Sequence, residues 1–145
     1  MQRVSSARVR IDGDTVGEIG EGVLVLLGIT PDDADPEATW LAEKVGNLRI
    51  FNDAEGKMNL SLLDVGGEAL LVSQFTLYGD ARKGRRPSFI RAAQGPEAEA
   101  VYEKVKAALS ALGITTATGR FGATMNVELT NEGPVTILLD SEKTF

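Results

Sequence analysis

The sequence predicts an α/β domain of the α+β-like kind: two packed sheets or a partly closed barrel, with two helices on one face in β/β/α layers. Three observations lead there. The chain has 145 residues, 43% apolar and 25% charged, the size of a single domain, 1–145, with one sizeable core. About eight segments have the length and patterning of strands, whereas only two stretches repeat apolar residues at helical spacing. Finally, Val23–Ile29 and Ala69–Val72 are continuous apolar runs of strand length, as expected of strands buried on both faces.

Val4–Ile11 alternates, meets the turn dipeptide Asp12-Gly13 and returns through Thr15–Ile19, which predicts a hairpin. Val23–Ile29 follows as a central strand. Asp35 at an N-cap, Pro36 and Glu37 then open a helix whose face is Trp40, Leu41 and Val45 and whose end is Gly46-Asn47. Leu48–Phe51 is a short strand, Asn52–Gly56 a turn, and Ala69–Ser73 the second buried strand. Tyr78–Pro87, rich in glycine, charge and proline, is a surface loop. Pro96 opens the longest helix, with Val101, Val105, Ala108, Leu109 and Leu112 at helical spacing and Gly113 as its stop. Two strands close the chain, one holding Met125, Val127 and Leu129 and one spanning Val135–Leu139, joined by the turn Asn131-Glu132-Gly133-Pro134.

The chain contains no histidine and no cysteine. This excludes Ser-His-Asp and Cys-His nucleophilic sites, disulfides, imidazole or thiolate zinc sites and a histidine pH switch. The carboxylates Asp32, Asp33, Asp35, Asp53 and Glu55 lie in turns without calcium-loop spacing, so no metal and no cofactor is expected. Chemistry is left to hydroxyls, amides, backbone dipoles, Lys or Arg, or the substrate itself.

The net charge of −6 comes from 15 basic and 21 acidic residues and advertises no nucleic acid. Its distribution says more. Ala81–Gln94 holds Arg82, Lys83, Arg85, Arg86 and Arg91 and no acid, so one basic loop stands on an otherwise acidic body. Such a loop suits a single anionic group or is simply solvated. No signal peptide precedes the first alternating residues, and no apolar run approaches the ~20 residues of a membrane span. A soluble cytoplasmic protein without a membrane partner is the expectation.

Two segments place polar residues where the pattern expects burial. Ser73-Gln74-Phe75-Thr76-Leu77 sets two hydroxyls and an amide at the end of a buried strand, a common ligand position in layered folds; the alternative is that Ser73 and Thr76 bond their own backbone. Asn131-Glu132-Gly133-Pro134-Val135-Thr136 reads as a hairpin turn. Yet an X-Pro bond tolerates cis at ~0.5–1 kcal/mol, and glycine reaches conformations closed to other residues. A Gly-cisPro unit would hold two carbonyls in an orientation foreign to ordinary hairpins.

These two segments resemble the SQxxL and NxGPxT motifs of the bacterial and eukaryotic D-aminoacyl-tRNA deacylases. Gln2-Arg3-Val4, Arg49-Ile50-Phe51, Gly56–Leu60, Arg85–Phe89 and Thr118-Gly119-Arg120-Phe121 are similar to the same family in the same order, so the likeness spans nearly the whole chain. One departure is that the family has a few more residues ahead of Gln-Arg-Val, which bears on pairing of the first strand.

The resemblance implies the deacylase fold and a homodimer with its sites at the interface, releasing D-amino acids from the 3′ end of tRNA in translational proofreading. Gly133 and Pro134, joined in cis, would project their carbonyls into the partner's pocket and exclude L side chains, while glycyl-tRNA passes as a second substrate. Ser73, Gln74, Phe75 and Thr76 would bind the adenosine and aminoacyl group; apart from the resemblance, backbone N–H groups near Phe75 and Thr76 are candidates for an oxyanion hole. Phe89 and Met125 would form pocket walls, Asn131 would join the binding residues, and Arg3 would fix the Gly-Pro loop. Charge alone offers Arg82, Lys83, Arg85 and Arg86 as phosphate contacts near the tRNA acceptor end.

Without histidine, the reading favours substrate-assisted hydrolysis through the adenosine 2′-hydroxyl over Thr76 as nucleophile. Two alternatives stay open: a hydrolase of other small D-amino-acid esters, and a non-enzymatic dimeric RNA-binding module.

Overall fold

In the computed structural model, which describes residues 1–145, β1 (Gln2–Ile11) organises the main sheet. It turns at Asp12 (φ 49°) and Gly13 (φ 86°) into β2 (Asp14–Ile19); two left-handed residues are what a tight hairpin turn demands. β3 (Gly22–Leu27) pairs antiparallel with Gln2–Val4 and parallel with β6 (Glu68–Ser73). β6 in turn pairs with β7 (Thr116–Thr118), and β8 (Asn126–Thr136) runs along the opposite edge of β1. Gln2 is already paired with Leu24 on one side and Thr136 on the other.

β2 curls back towards β7. A Cβ at Gly17 would fall 2.2 Å from the Thr118 carbonyl oxygen, so only glycine permits this approach. The six-stranded sheet therefore nearly closes into a barrel, and β4 (Phe51–Asn52) with β5 (Met58–Leu60) forms a separate ribbon. Of the two predicted arrangements, the partly closed barrel is the one adopted.

The central strands bury both faces, as their continuous apolar runs require. Val23, Val25, Ala69 and Leu71 face the helices α1 (Asp35–Asn47) and α3 (Gly95–Ala111), meeting Ala38, Ala42 and Val45 of the first and Val101, Val105 and Leu109 of the second. Leu24, Leu70 and Val72 point the other way, to Val4, Ala7, Val9 and Ile19. Each fully buried Leu or Val contributes about 1.5–3 kcal/mol of transfer free energy. Both long helices share one face of the sheet, as predicted.

Several local expectations change. Ala34, not Asp35, is the N-cap of α1, and Glu37 reaches back to accept the Ala34 N–H at 3.0 Å. The buried stripe is Ala38, Ala42 and Val45, with Trp40 and Leu41 at its margins. The helix does end at Gly46-Asn47, as read, but Gly46 is buried there, and a Cβ on it would press on Ile114, Leu63 and Leu112 at 3.2–3.4 Å. The short α2 (Leu62–Val65), capped by the Ser61 hydroxyl, and the three-residue β7 lack enough residues to show a period. Most important for function, the two predicted terminal strands are one. β8 runs unbroken from Asn126 to Thr136, and Asn131-Glu132-Gly133-Pro134 is not a hairpin turn.

Candidate active site

β8 makes room for its motif by bulging. Asn131 pairs with Val4 and Thr136 with Gln2, so the residues between are too many for the single Arg3 opposite them, and they stand out from the sheet. The bulge is tied on every side. Arg3, 7% exposed, donates from Nε to the Glu132 carbonyl at 3.1 Å and from Nη1 to the Ile50 carbonyl at 2.7 Å. Asn131 Oδ1 accepts the Val135 N–H at 3.0 Å, and its amide donates to Thr136 Oγ1 at 3.2 Å. Gly133 has φ +124°, and a Cβ on it would meet Arg3 Nη2 and Val135 Cγ2 at 2.9 Å each. Glu132, Gly133 and Pro134 are solvent-exposed, and the Gly133–Pro134 peptide is cis.

The second motif lies elsewhere. Gln74 N–H donates to Leu27 O at 2.8 Å and extends the β3–β6 ladder by one rung; a 3-10 turn, Phe75–Tyr78, then lifts the chain off the sheet. Opening a turn this way leaves its first donors without partners, and neither the Phe75 nor the Thr76 N–H has an acceptor in the chain. The Ser73 and Thr76 hydroxyls and the Gln74 amide are likewise unbonded, so the local-backbone role open to Ser73 and Thr76 is not taken up.

Their residues, Ser73, Gln74, Phe75 and Thr76, line a cavity of about 440 Å³ together with Gln94 and Gly95 at the start of α3, Phe121, Gly122, Ala123 and Met125, over Leu27, Ile29, Ala93 and Ala98. No ionisable side chain lines it. Phe75, 51% exposed, is held edge-on by Phe89, ring centroids 5.2 Å apart at 77°. Phe89 therefore backs the wall rather than forming it. Phe121 is set by Tyr102, whose ring lies 5.7 Å away and whose hydroxyl donates to Leu71 O at 2.8 Å. Burial pushes that hydroxyl up to about 12, so it remains a donor.

The structure thus brings together Ser73, Gln74, Phe75, Thr76 and Met125, with Phe89 behind them. Arg3, Asn131, Gly133 and Pro134 form the separate bulge, and none of them lines the cavity. Sequence reading missed Gln94, Gly95, Phe121, Gly122 and Ala123 as cavity residues. A signal existed in Gly119 and Gly122, two glycines in a short link between strands. A larger cavity, about 850 Å³, lies between α1, the Leu77–Arg82 segment and the C-terminal residues; of the two motif stretches it includes only Leu77 and Thr136.

The basic loop is partly committed. Arg82 forks onto Asp80 at 2.8 and 2.6 Å and holds that carboxyl far below the usual range, and Arg91 pairs with Glu142 at 2.6 Å over the Tyr78 ring. Lys83, Arg85 and Arg86 are exposed and make no ion pair. Backbone bonds between Asp80 and Ser88 close the loop at its base.

Comparison with known proteins identifies the family. Residues 1–140 match the family model described as D-Tyr-tRNA(Tyr) deacylase. The D-aminoacyl-tRNA deacylase of Symbiobacterium thermophilum is 57% identical over 145 residues, 100% of this chain and 96% of that protein. A Bacillus subtilis relative named inactive D-aminoacyl-tRNA deacylase is 58% identical over 132 residues, 91% of this chain and all of its own. A solved structure titled c-Myc DNA Unwinding Element Binding Protein superposes with a TM-score of 0.89 at 40% identity, covering 97% of this chain and 95% of the other. No helix is long and apolar enough to cross a membrane. With the match running nearly end to end, this chain belongs to the D-Tyr-tRNA(Tyr) deacylase family of ester hydrolases.

Proposed function

We propose that the chain is a cytoplasmic D-aminoacyl-tRNA deacylase, a single domain that works as a homodimer and hydrolyses the ester between a D-amino acid and the terminal adenosine of tRNA. One observation carries the mechanism: a cavity with unbonded backbone and side-chain donors and no titratable group. Such a site has no base to activate Thr76. What it offers is placement, and an aminoacyl ester, already activated, needs little more.

In this reading Ser73, Gln74 and Thr76 hold the adenosine and aminoacyl group between Phe75, Phe121 and Met125. Water adds to the ester carbonyl, assisted by the vicinal 2′-hydroxyl, and the developing oxyanion takes the Phe75 and Thr76 N–H bonds. A preorganised donor of this kind is worth about 2.7–4 kcal/mol. Collapse breaks the acyl–oxygen bond, the 3′-oxygen leaves as a hydroxyl, and the D-amino acid leaves as its carboxylate.

Chirality is assigned to the bulge. Its carbonyls, lying outside the chain's own cavity and fixed by Arg3 and Asn131, reach the partner subunit's cavity and occupy the space of an L side chain. Rejection by fixed backbone atoms suits the task, since small attractive differences give only ~10–200-fold selection per methylene. Glycyl-tRNA, lacking a side chain, passes. The exposed Lys83, Arg85 and Arg86, with Arg82 when released from Asp80, contact acceptor-end phosphates.

The test is deacylation of one tRNA charged with matched D- and L-amino acids. Rapid hydrolysis of the D form alone is expected; equal rates, or none on either, would end the proposal. The relative named inactive makes this assay necessary despite the close match. Faster turnover of free D-aminoacyl esters than of charged tRNA would instead indicate a small-ester hydrolase.

A further inference from the structure

The 3-10 turn Phe75–Tyr78 carries the unbonded Phe75 and Thr76 N–H groups, yet no backbone bond ties the turn itself to the rest of the chain. Its bonds stay inside the segment, from Leu77 N–H to Gln74 O at 3.3 Å and from Gly79 N–H to Thr76 O at 2.9 Å. The ladder to Leu27 ends at Gln74, and the next bonds to another segment are those of Asp80 with Ser88. Between these points the turn is placed by side chains.

One segment supplies them. Ser88–Ala93 is pinned at one end by the Asp80–Ser88 pair and at the other by Ala93 N–H, which donates to Ile29 O at 2.8 Å. From it Phe89 meets Phe75, the first residue of the turn, and Arg91 lies over the ring of Tyr78, the last, with the guanidinium carbon 5.5 Å from the ring centroid. The same ring rests against Gly28, just past β3, where a Cβ would fall 3.0 and 3.1 Å from two ring carbons. Gly28 is not left-handed, so its use is the room it leaves for Tyr78.

Arg91 is held in its turn by Glu142 at 2.6 Å. Asp140 sets Glu142, its carboxylate accepting the Glu142 and Thr144 N–H groups at 3.0 Å each. An exposed ion pair adds little stability; what this one fixes is the place of the guanidinium over the ring. Burial pushes the Tyr78 hydroxyl up to about 12, so Arg91 covers a neutral ring and the contact is of the cation–π kind.

We propose that Tyr78 and Arg91, with Glu142 bracing the guanidinium, are positioning residues that hold the Phe75 and Thr76 N–H groups in place for the reacting ester. The proposal rests on the deacylase reading above and deepens it. The three side chains touch no substrate; they act through the turn, on the chemical step rather than on tRNA binding.

The experiment measures kcat and KM for hydrolysis of D-tyrosyl-tRNA by wild-type enzyme, Tyr78→Ala, Tyr78→Phe, Arg91→Gln, Glu142→Gln and the Arg91→Gln/Glu142→Gln double variant. Tyr78→Ala is expected to lower kcat about 10-fold, short of the ~100-fold that a misplacement of ~1 Å can cost, and to leave KM within about 2-fold. Tyr78→Phe, which keeps the ring, should recover most of that loss. Arg91→Gln and Glu142→Gln should each lower kcat roughly 3-fold, the scale of one exposed cation–π contact. The double variant should lose no more than Arg91→Gln alone, because both changes release one brace. An Arg91 that served as a phosphate contact would give the opposite pattern: Arg91→Gln would raise KM and flatten its salt dependence, and Glu142→Gln, by freeing the guanidinium, would lower KM. That pattern, or an unchanged kcat in any of Tyr78→Ala, Arg91→Gln and Glu142→Gln, overturns the proposal. Should Tyr78→Ala not fold, the two exposed positions decide alone. A wild-type enzyme inactive on D-tyrosyl-tRNA removes the deacylase reading and this proposal together, an outcome distinct from an active enzyme whose kcat does not respond.

Discussion

The two motif regions use their polar groups in opposite ways. On the β8 bulge, the Arg3 guanidinium, the Asn131 amide, the Thr136 hydroxyl and the Glu132 carbonyl are all bonded within the chain. At the cavity, the Ser73 and Thr76 hydroxyls, the Gln74 amide and the Phe75 and Thr76 N–H groups are bonded to nothing in it. A polar group satisfied inside the fold fixes geometry, whereas one left to solvent can exchange water for a ligand at small cost. The bulge is therefore built to hold a shape and the cavity to receive one. Substitutions on the bulge should be felt in stability, and substitutions in the cavity in turnover.

The sharpest way to break that contrast is Arg3→Met. The side chain keeps its apolar length, but the Ile50 and Glu132 carbonyls lose their donor, the first of them buried. Two hydrogen bonds to a charged group, at about 1.5–3 kcal/mol each, set a loss of roughly 3 kcal/mol or more. For a chain of this length that lowers Tm by around 10 °C. D-over-L selectivity is expected to fall further than D activity. Arg3→Lys, with no fork to span both carbonyls, should recover only part of the stability. An unchanged melting curve for Arg3→Met would show that the bulge does not depend on this anchor.

Gly133→Ala comes next. A methyl must take up φ +124° and meet Arg3 and Val135 at 2.9 Å, a backbone cost of about 1–3 kcal/mol. Asn131→Ala, which removes the acceptor of the Val135 N–H, should cost about 1 kcal/mol. Thermal melts rank the two, and D/L deacylation ratios show whether bulge shape and selectivity fall together. Selectivity intact in a destabilised Gly133→Ala would separate them.

The sequence carried the fold where periods were long enough to read. Both buried strands, the β1–β2 hairpin and both long helices are legible because burial on one or two faces writes itself into residue order. It failed where a contact distant in sequence decides. Gly46-Asn47 ends the helix as read, but nothing local tells that Ile114 and Leu112 come close to Gly46. Asn131–Pro134 looks like a turn because nothing local tells that β1 pairs on both sides of it. For the site, SQFTL stood out as polar residues ending a buried strand, but Phe121, Ala123 and Gln94 did not, because the cavity is closed by segments of unremarkable composition. The mutual bonding of Asn131 and Thr136 explains why that motif has those two residue types five apart, a reason visible only in three dimensions.

On the cavity side, Thr76→Val tests the other half of the contrast. The hydroxyl has no partner in the chain, so its loss should change stability by no more than about 0.5 kcal/mol. Hydrolysis of D-aminoacyl-tRNA is expected to persist within about 10-fold, because the Thr76 N–H stays and no base for the hydroxyl exists nearby. Replacing the terminal adenosine with its 2′-deoxy form should lower the rate much further. Loss of turnover in Thr76→Val with binding retained, or an acyl group trapped on Thr76 of the wild type, would make it the nucleophile instead.

The smallest expected effect concerns a bonded feature outside both motif regions, the Arg82–Asp80 fork at the base of the basic loop. The Arg82 hydrogen bonds lower the folded-state pKa of Asp80 below the ~3.9 of an unfolded chain. The sign follows: the pair adds stability above about pH 4, and that stability is lost as pH falls through the lower folded value. Both partners are solvent-exposed in this pair, so the contribution is minor and salt-sensitive. Wild type and Asp80→Asn should therefore differ slightly in Tm at pH 7 and converge below pH 4, while Asp80→Asn, by freeing Arg82, should bind tRNA no more weakly than wild type. Weaker binding by that variant would mean that the fork holds the loop in its working shape, and would give the basic loop the shape-holding bonding that otherwise marks the bulge.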